Sequence, residues 1–335
     1  MKRSRFRFSV VLLLASFPVS IFAQQVPTVP TLQPLKGTPL PTQPKDPKKF
    51  MFIFAGDNRP ENEDCPPTGT VKKIFKAVRQ KSPAFVLWSG DVIYGKNPDK
   101  PKKVKKQYKD FLRIAADGQA PLYNAPGNHE MNDGNNCPNP KMLKLYLDET
   151  AQAAPYGSFD YGDSHFIALD SDEPAPDNDP CNCGTQPDDE KPPGYISQTQ
   201  LKWLAKDLSD NRNKDHIFIF LHRPLKGYKG KKQLCAANVS AMEELFEDYP
   251  TISYVVAGHD HMYYNEQGKG TPDEFKSPPP RKDPSKPPYY LISGGAGAPL
   301  KEGTEGSFFH YVIFNVDKDT VTAERVRLDE SKDVN

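Results

Sequence analysis

The sequence predicts an α/β fold, and three observations carry that prediction. Short apolar runs at 50–55, 85–89 and 122–125 alternate with stretches of helical periodicity, which demands right-handed crossovers and a parallel sheet. Two later runs, 217–221 and 252–257, stop as abruptly. Behind each run stands a residue or short cluster able to ligate a metal, Asp57, Asp91, Asn128, His222 and His259 with His261. Parallel strands place their ends on one edge, where such residues would meet.

Taken in order, the run 50–55 ends at Gly56, and a helix is expected over 70–81 with Val71, Ile74, Phe75 and Val78 on one face. Pro83 separates it from the second strand, 85–89. A Lys-rich stretch, 96–109, leads to a helix at 111–116 and then the third strand, 122–125. A helix at 141–150 precedes a hairpin, 158–161 with 164–170, turning at Gly162-Asp163. Residues 171–195, dense in Pro, Asp, Asn and Gly, read as an inserted loop. Ser197 caps a helix that buries Leu201, Leu204 and Leu208. After the strands 217–221 and 252–257 comes a Pro-rich insertion, 268–288. The runs 291–300, 308–316 and 321–328 are expected to complete a second, mostly antiparallel sheet.

The N-terminus reads as an export signal: Lys2, Arg3, Arg5 and Arg7, an apolar stretch from Phe8, and a small residue, Ala23, at the expected cut. Ser16, Pro18 and Ser20 interrupt it, so it does not fit a membrane-spanning helix of about 20 apolar residues. The expected organisation is a signal peptide over 1–23, a Pro-rich extended linker over 24–48 and one domain over 49–335, with delivery to the periplasm or the exterior. Removing residues 1–23 takes four basic charges and no acidic ones, so the formal charge goes from +1 to −3. That balance selects neither nucleic acid nor an acidic lipid surface, and no later segment is long and apolar enough to span a bilayer.

Five cysteines in an exported chain favour disulfides over thiolate metal sites. The odd count leaves one over. Cys65 follows the Asp57 loop and Cys137 the Asn128 loop, so their pairing is the first expectation; Cys235 with Cys181 or Cys183 is the second. Cys181-Asn182-Cys183 lacks the matching Cys or His pair that a soft-metal site needs.

The clusters Gly56-Asp57-Asn58-Arg59, Gly90-Asp91-Val92-Ile93-Tyr94, Gly127-Asn128-His129-Glu130, His222 and Gly258-His259-Asp260-His261 stand in one order. In that order they resemble the calcineurin-like metallophosphoesterases, and within them the purple acid phosphatases, over roughly residues 50–330. The resemblance implies a four-layer α/β/β/α sandwich of two mixed sheets and a binuclear metal site in which a metal-bound hydroxide attacks phosphorus. It implies Asp91 as the bridging ligand, a first metal on Asp57, Asp91, Tyr94 and His261, and a second on Asp91, Asn128, His222 and His259. A phenolate favours Fe(III), so Tyr94 points to iron in the first site, with Fe(II), Zn or Mn in the second. Tyr94 packed against the Lys-rich insertion is the alternative.

Two residues receive catalytic roles. His129, near the substrate oxygens by resemblance, is assigned transition-state stabilisation or protonation of the leaving group, with structural support of the site as the alternative. Arg59 departs from the family pattern; it either grips substrate phosphate or pairs with Glu130 or Asp91. His165, His216 and His310 lie away from these motifs and read as structural, and Lys102 to Lys109 as a solvated face. The expected activity is hydrolysis of small phosphomonoesters. Phosphodiester hydrolysis on the same site, and a secreted phosphate- or metal-binding protein without turnover, are the alternatives.

Overall fold

The computed structural model describes residues 31–187, 191–231, 233–266, 288–301 and 303–329. In chain order the first half runs β1 (Lys49–Ala55), α1 (Gly69–Lys81), β2 (Val86–Trp88), α2 (Pro101–Asp117), β3 (Leu122–Asn124), α3 (Asn128–Met131), α4 (Pro140–Thr150), β4 (Gly157–Tyr161) and β5 (Ser164–Ala168). The second half runs α5 (Gln198–Asp210), β6 (His216–Leu221), α6 (Ala236–Glu247), β7 (Ile252–Ala257), β8 (Tyr263–Asn265), β9 (Tyr289–Ser293), β10 (His310–Asp317) and β11 (Thr320–Arg327).

These strands form two mixed sheets, ordered β11-β10-β1-β2-β3 and β4-β5-β6-β7-β9-β8. Alternation along β1 shows how they stack. Phe50, Phe52 and Phe54 point into the core shared with Phe166, Phe218 and Tyr254 of the other sheet, while Ile53 and Ala55 point to α1 and α2. Phe52 stacks on Phe85 and Phe314 with centroids 5.3 and 4.8 Å apart, and each such buried ring contributes about 1.5–3 kcal/mol. On the far face of the second sheet, Ile167, Ile219 and Val255 pack on Trp203 and Leu204 of α5 and Met242 of α6. The layers are therefore α/β/β/α.

Several expectations are corrected. The second sheet is not mostly antiparallel: β5, β6, β7 and β9 run parallel. The terminal strands β10 and β11 belong to the first sheet, where β10 lies antiparallel to β1 from Lys49↔Asp317 to Phe54↔Val312. The Lys-rich stretch is helix: α2 starts at Pro101, and its lysines occupy the solvent side while Val104, Tyr108 and Phe111 are buried. Helix α6 and strand β8 were not expected from the sequence: the apolar residues of α6 are not gathered into one stripe, and β8 is only three residues long.

The extended linker expected over 24–48 is corrected from residue 31 onward. Leu32 and Leu35 are buried, and their N–H groups donate to Ser158 O (2.9 Å) and Leu122 O (2.7 Å), so residues from 31 onward pack on the domain rather than trail from it. The export signal and the 268–287 part of the Pro-rich insertion lie outside the described residues. Cystines join Cys137 to Cys183 and Cys181 to Cys235, leaving Cys65 free. The Cys65–Cys137 expectation is wrong because Cys137 faces the 171–195 loop; the expectation for Cys235 holds with Cys181 as partner.

Candidate metal centre and its cavity

The strand ends of both sheets supply the site. Asp57 follows β1, Asp91 follows β2, Asn128 opens α3 behind β3, His222 follows β6, and His259 and His261 follow β7. Asp57, Asp91, His259 and His261 all have positive φ, between 49° and 69°, a region that costs a residue with a Cβ about a kcal/mol or more. Strain concentrated at these four turns lets each side chain leave the strand end toward a common centre. Gly258 allows the close approach: a Cβ there would lie 2.1 Å from Asp57 Oδ2. A Cβ on Gly127 would lie 2.4 Å from Asp91 Oδ1.

Two groups of ligand atoms result. Asp57, Asp91 and His261 offer donor atoms all within 4.8 Å of one another, with His261 Nε2 3.5 Å from Asp57 Oδ1. On the other side His222 Nε2 lies 3.3 Å from Asp91 Oδ1, 3.0 Å from Asn128 Oδ1 and 3.0 Å from His259 Nδ1. Asp91 thus touches both groups. The two histidines of one turn face different ways, His259 toward His222 and His261 toward Asp57.

The donor chemistry fits cations. His222 Nδ1 donates to Ser89 O (2.7 Å) and His261 Nδ1 to Pro299 O (2.7 Å); a carbonyl only accepts, so those nitrogens carry the protons. Each Nε2 then turns a lone pair toward a carboxylate oxygen, an arrangement that repels unless a positive ion stands between them. Burial holds His261 and His259 neutral, the ligand form: it lowers His261 to about 4 and His259 well below its ordinary value. Burial, then the Asp91 charge, raises Asp57 well above the carboxylate range. Burial pushes Asp91 the same way, but at the acid end, where they are protonated, His222 and His129 together with Arg59 outweigh it and hold Asp91 below that range.

The remaining expected residues are placed as follows. Arg59 Nε is 3.6 Å from Asp91 Oδ2, so of its two candidate partners the geometry selects Asp91 over Glu130. His129 lies with Nε2 3.9 Å from Asp91 Oδ2 while its Nδ1 donates to Tyr94 O, and burial lowers its pKa to about 3. Tyr94 packs its ring edge-on to His129 at 5.5 Å, and it is absent from the described residues lining the cavity over the centre. That cavity, of about 470 Å³, is bordered by Asp91, Asn128, His129, His259 and His261 and by a rim of Arg59, Lys96, Arg223 and Lys301.

Glu130 has a larger part than the sequence suggested. It is fully buried and accepts from four backbone N–H groups, those of Asp91 (2.7 Å), Val92 (2.9 Å), Ile93 (3.2 Å) and Gly127 (2.7 Å), so one carboxylate fastens the Asp91 loop to the Asn128 loop. Burial, and next the Asp91 charge, push it up to about 8, while the four donors favour the ionised form. Its motif position was visible in the sequence, but its acceptor role was not. Lys96, Arg223 and Lys301 carried no signal at all, because they reach the cavity from three separate segments. The three histidines set aside are occupied elsewhere: His165 by Asp160 and Asp207, His216 by Ser253 Oγ and Lys318 O, His310 by Ser293 Oγ and Phe308 O.

Comparison with known proteins agrees with this fold. A dimetal phosphatase from Danio rerio superposes with a TM-score of 0.58 at 16% identity, covering 83% of this chain and 97% of that one. GAP50, the anchor in the inner membrane complex of Plasmodium, superposes at 0.54 with 13% identity over 86% of this chain and 87% of its own. At these identities the likeness concerns the fold. Acid phosphatase A of Cryphonectria parasitica is 31% identical over 142 residues, 42% of this chain and only 27% of that protein's length. A family model described as calcineurin-like phosphoesterase matches residues 52–263, more than half of the 335 residues, and the chain therefore belongs to that family.

Proposed function

We propose that the protein is an exported phosphomonoesterase of the acid phosphatase type that works with two metal ions. The observation that carries this reading is the meeting of six ligand residues from five strand ends around a shared Asp91, beneath one basic cavity. Two metal ions held there supply charge neutralisation on the ester's equatorial oxygens and a lowered pKa for water. Asp57, Asp91 and His261, with Tyr94, would hold the first; Asp91, Asn128, His222 and His259 the second.

The chain supplies the rest. The carbonyls of Ser89 and Pro299 fix the rotation of His222 and His261, and Glu130 fixes the two loops that carry Asp91 and Asn128. Arg59, beside Asp91 and lining the cavity, presents guanidinium N–H groups to a phosphate oxygen. His129 lines the same cavity, within reach of the leaving oxygen, where it stabilises developing charge or transfers a proton. Iron(III) in the first site rests on the spacing of Tyr94 from Asp91, and Fe(II), Zn or Mn suits the second. Export rests on the N-terminal signal.

Hydrolysis of an aryl phosphate and of a diaryl phosphate by purified protein tests the reading. Faster turnover of the monoester, abolished by a chelator and restored by added metal, is expected. Faster turnover of the diester would establish phosphodiesterase activity instead. No turnover of either with metals bound would make this a binding protein. A broad visible tyrosinate band lost in Tyr94→Phe supports iron, and a colourless active enzyme rejects it.

A further inference from the structure

The cavity over the metal centre carries more positive charge than one phosphate group requires. Among the described residues five Lys and Arg side chains line it, Arg59, Lys96, Lys191, Arg223 and Lys301, against one carboxylate, Asp91. Two of the five are braced from behind by carboxylates that do not face the cavity. Arg223 Nη2 is 2.9 Å from Asp172 Oδ1, and Lys301 Nζ is 2.7 Å from Asp260 Oδ1. Arg223 also donates through Nε to Asp172, so that guanidinium is fixed along one edge and its other edge is free to face the cavity.

Lys96 differs from the rest. Its side chain is partly buried and donates to Asn136 Oδ1, and no carboxylate lies within 4.0 Å of it among the described residues. Its backbone is held by a 3.2 Å hydrogen bond to His129 O with φ at 55°, a conformation unusual for Lys. Ammonium groups withdrawn from water normally have an anionic partner. Asp91 and Asp172 act on Lys96 only from beyond 4.0 Å, and a closer anion has a place to sit, because Lys96, Asn136 and Arg223 line the same cavity. Asn136 and Arg223 also line an adjoining cavity on the side of the disulfide-tied loop, away from the strand-end ligands.

The phosphate under attack is already served by the metal ligands, Arg59 and His129. We propose that Lys96 and Arg223 form a second anion subsite, so that the preferred substrate is a phosphomonoester bearing a second phosphate group on its leaving side. Lys96 is then the specificity-determining residue. The inference rests on the phosphomonoesterase reading and extends it to substrate class. Lys191 stands on the same wall, but Asp188, Asp189 and Glu190 beside it in sequence lie outside the described residues, and nothing is drawn from it.

The test compares propanediol bisphosphate with hydroxypropyl phosphate, which lose similar leaving groups. The wild type should favour the bisphosphate in kcat/KM by about tenfold or more, the scale of one charge-assisted hydrogen bond, beyond the statistical advantage of two equivalent phosphates. Lys96→Gln should remove most of that preference and Lys96→Arg should restore it. Calorimetry with the non-hydrolysable pair, propane bisphosphonate and propyl phosphonate, should show the same gap in affinity, closed in Lys96→Gln and reduced by salt. No preference in the wild type, or one that survives Lys96→Gln, overturns the subsite. If neither ester is turned over, the phosphatase reading fails, and the bisphosphonate affinities still decide whether the subsite exists.

Discussion

Glu130→Gln tests how the two ligand loops are held together. The substitution preserves shape but replaces one carboxylate oxygen by an NH2 group. Oε2 accepts from the N–H of Asp91 and of Gly127 at 2.7 Å, and Oε1 from Val92 at 2.9 Å and Ile93 at 3.2 Å. Whichever way the amide turns, two backbone donors confront a donor in a site with no access to water. Each buried N–H left unpaired costs about 1–3 kcal/mol, so the expected loss is roughly 2–6 kcal/mol. For a chain of this length a kcal/mol corresponds to roughly 1.5 °C, which gives a fall in Tm of about 3–9 °C. Urea and thermal unfolding of metal-free protein above pH 8, where Glu130 is ionised, measure this apart from any change in metal affinity. Metal affinity should fall as well, because Asp91 and Asn128 lose their common anchor. A variant within about 0.5 kcal/mol of wild type with full metal affinity would refute the clamp, since surface substitutions produce changes of that size.

His165 is expected to make stability depend on pH. Its Nδ1 and Nε2 lie 2.6 and 2.8 Å from Asp160 and Asp207; burial opposes its charge, but the two carboxylates prevail and its pKa is raised. A raised folded value means the stabilisation is complete below the unfolded value of about 6.5 and is lost as pH rises through the folded value, so His165→Gln should flatten the urea midpoint over that interval. Peptide mapping without reductant should recover Cys137 with Cys183 and Cys181 with Cys235 and leave Cys65 open to alkylation. Breaking either cystine, with partners 46 or 54 positions apart, should cost about 4 kcal/mol in the chain-entropy model. Arg59→Ala should raise KM by about thirtyfold with kcat little changed, whereas His129→Ala should lower kcat by about 10² to 10⁴. A His129 deficit that stays the same for good and poor leaving groups would exclude proton transfer.

Much of this was legible in the sequence because the signals are local. A strand that ends in Gly-Asp or Gly-Asn-His announces both the element and the ligand, so β1, β2, β3, β6 and β7 and the residues behind them were found together. Pairing across the chain left no such mark. Strands β10 and β11 look alike whether they extend the first sheet or the second, and only the register from Lys49↔Asp317 onward decides it. Leu32 and Leu35 are two isolated apolar residues in a Pro-rich segment, and their backbone partners stand far along the chain, at Ser158 and Leu122. The cystines went astray for the same reason: Cys137 was assigned to the neighbouring ligand loop, while the fold brings it to Cys183. Lys96, Arg223 and Lys301 share a cavity but no sequence pattern.

Metal stoichiometry in Asp91→Ala is the most direct test of the central claim. Asp91 is the residue whose carboxylate touches His222 on one side and shares the Asp57–His261 group on the other. Elemental analysis of the purified wild type should find two metal ions per chain, Asp91→Ala should lose both together with its phosphatase activity, and His222→Ala should lose mainly one. An Asp91→Ala protein that is folded and still carries two metal ions would contradict the account.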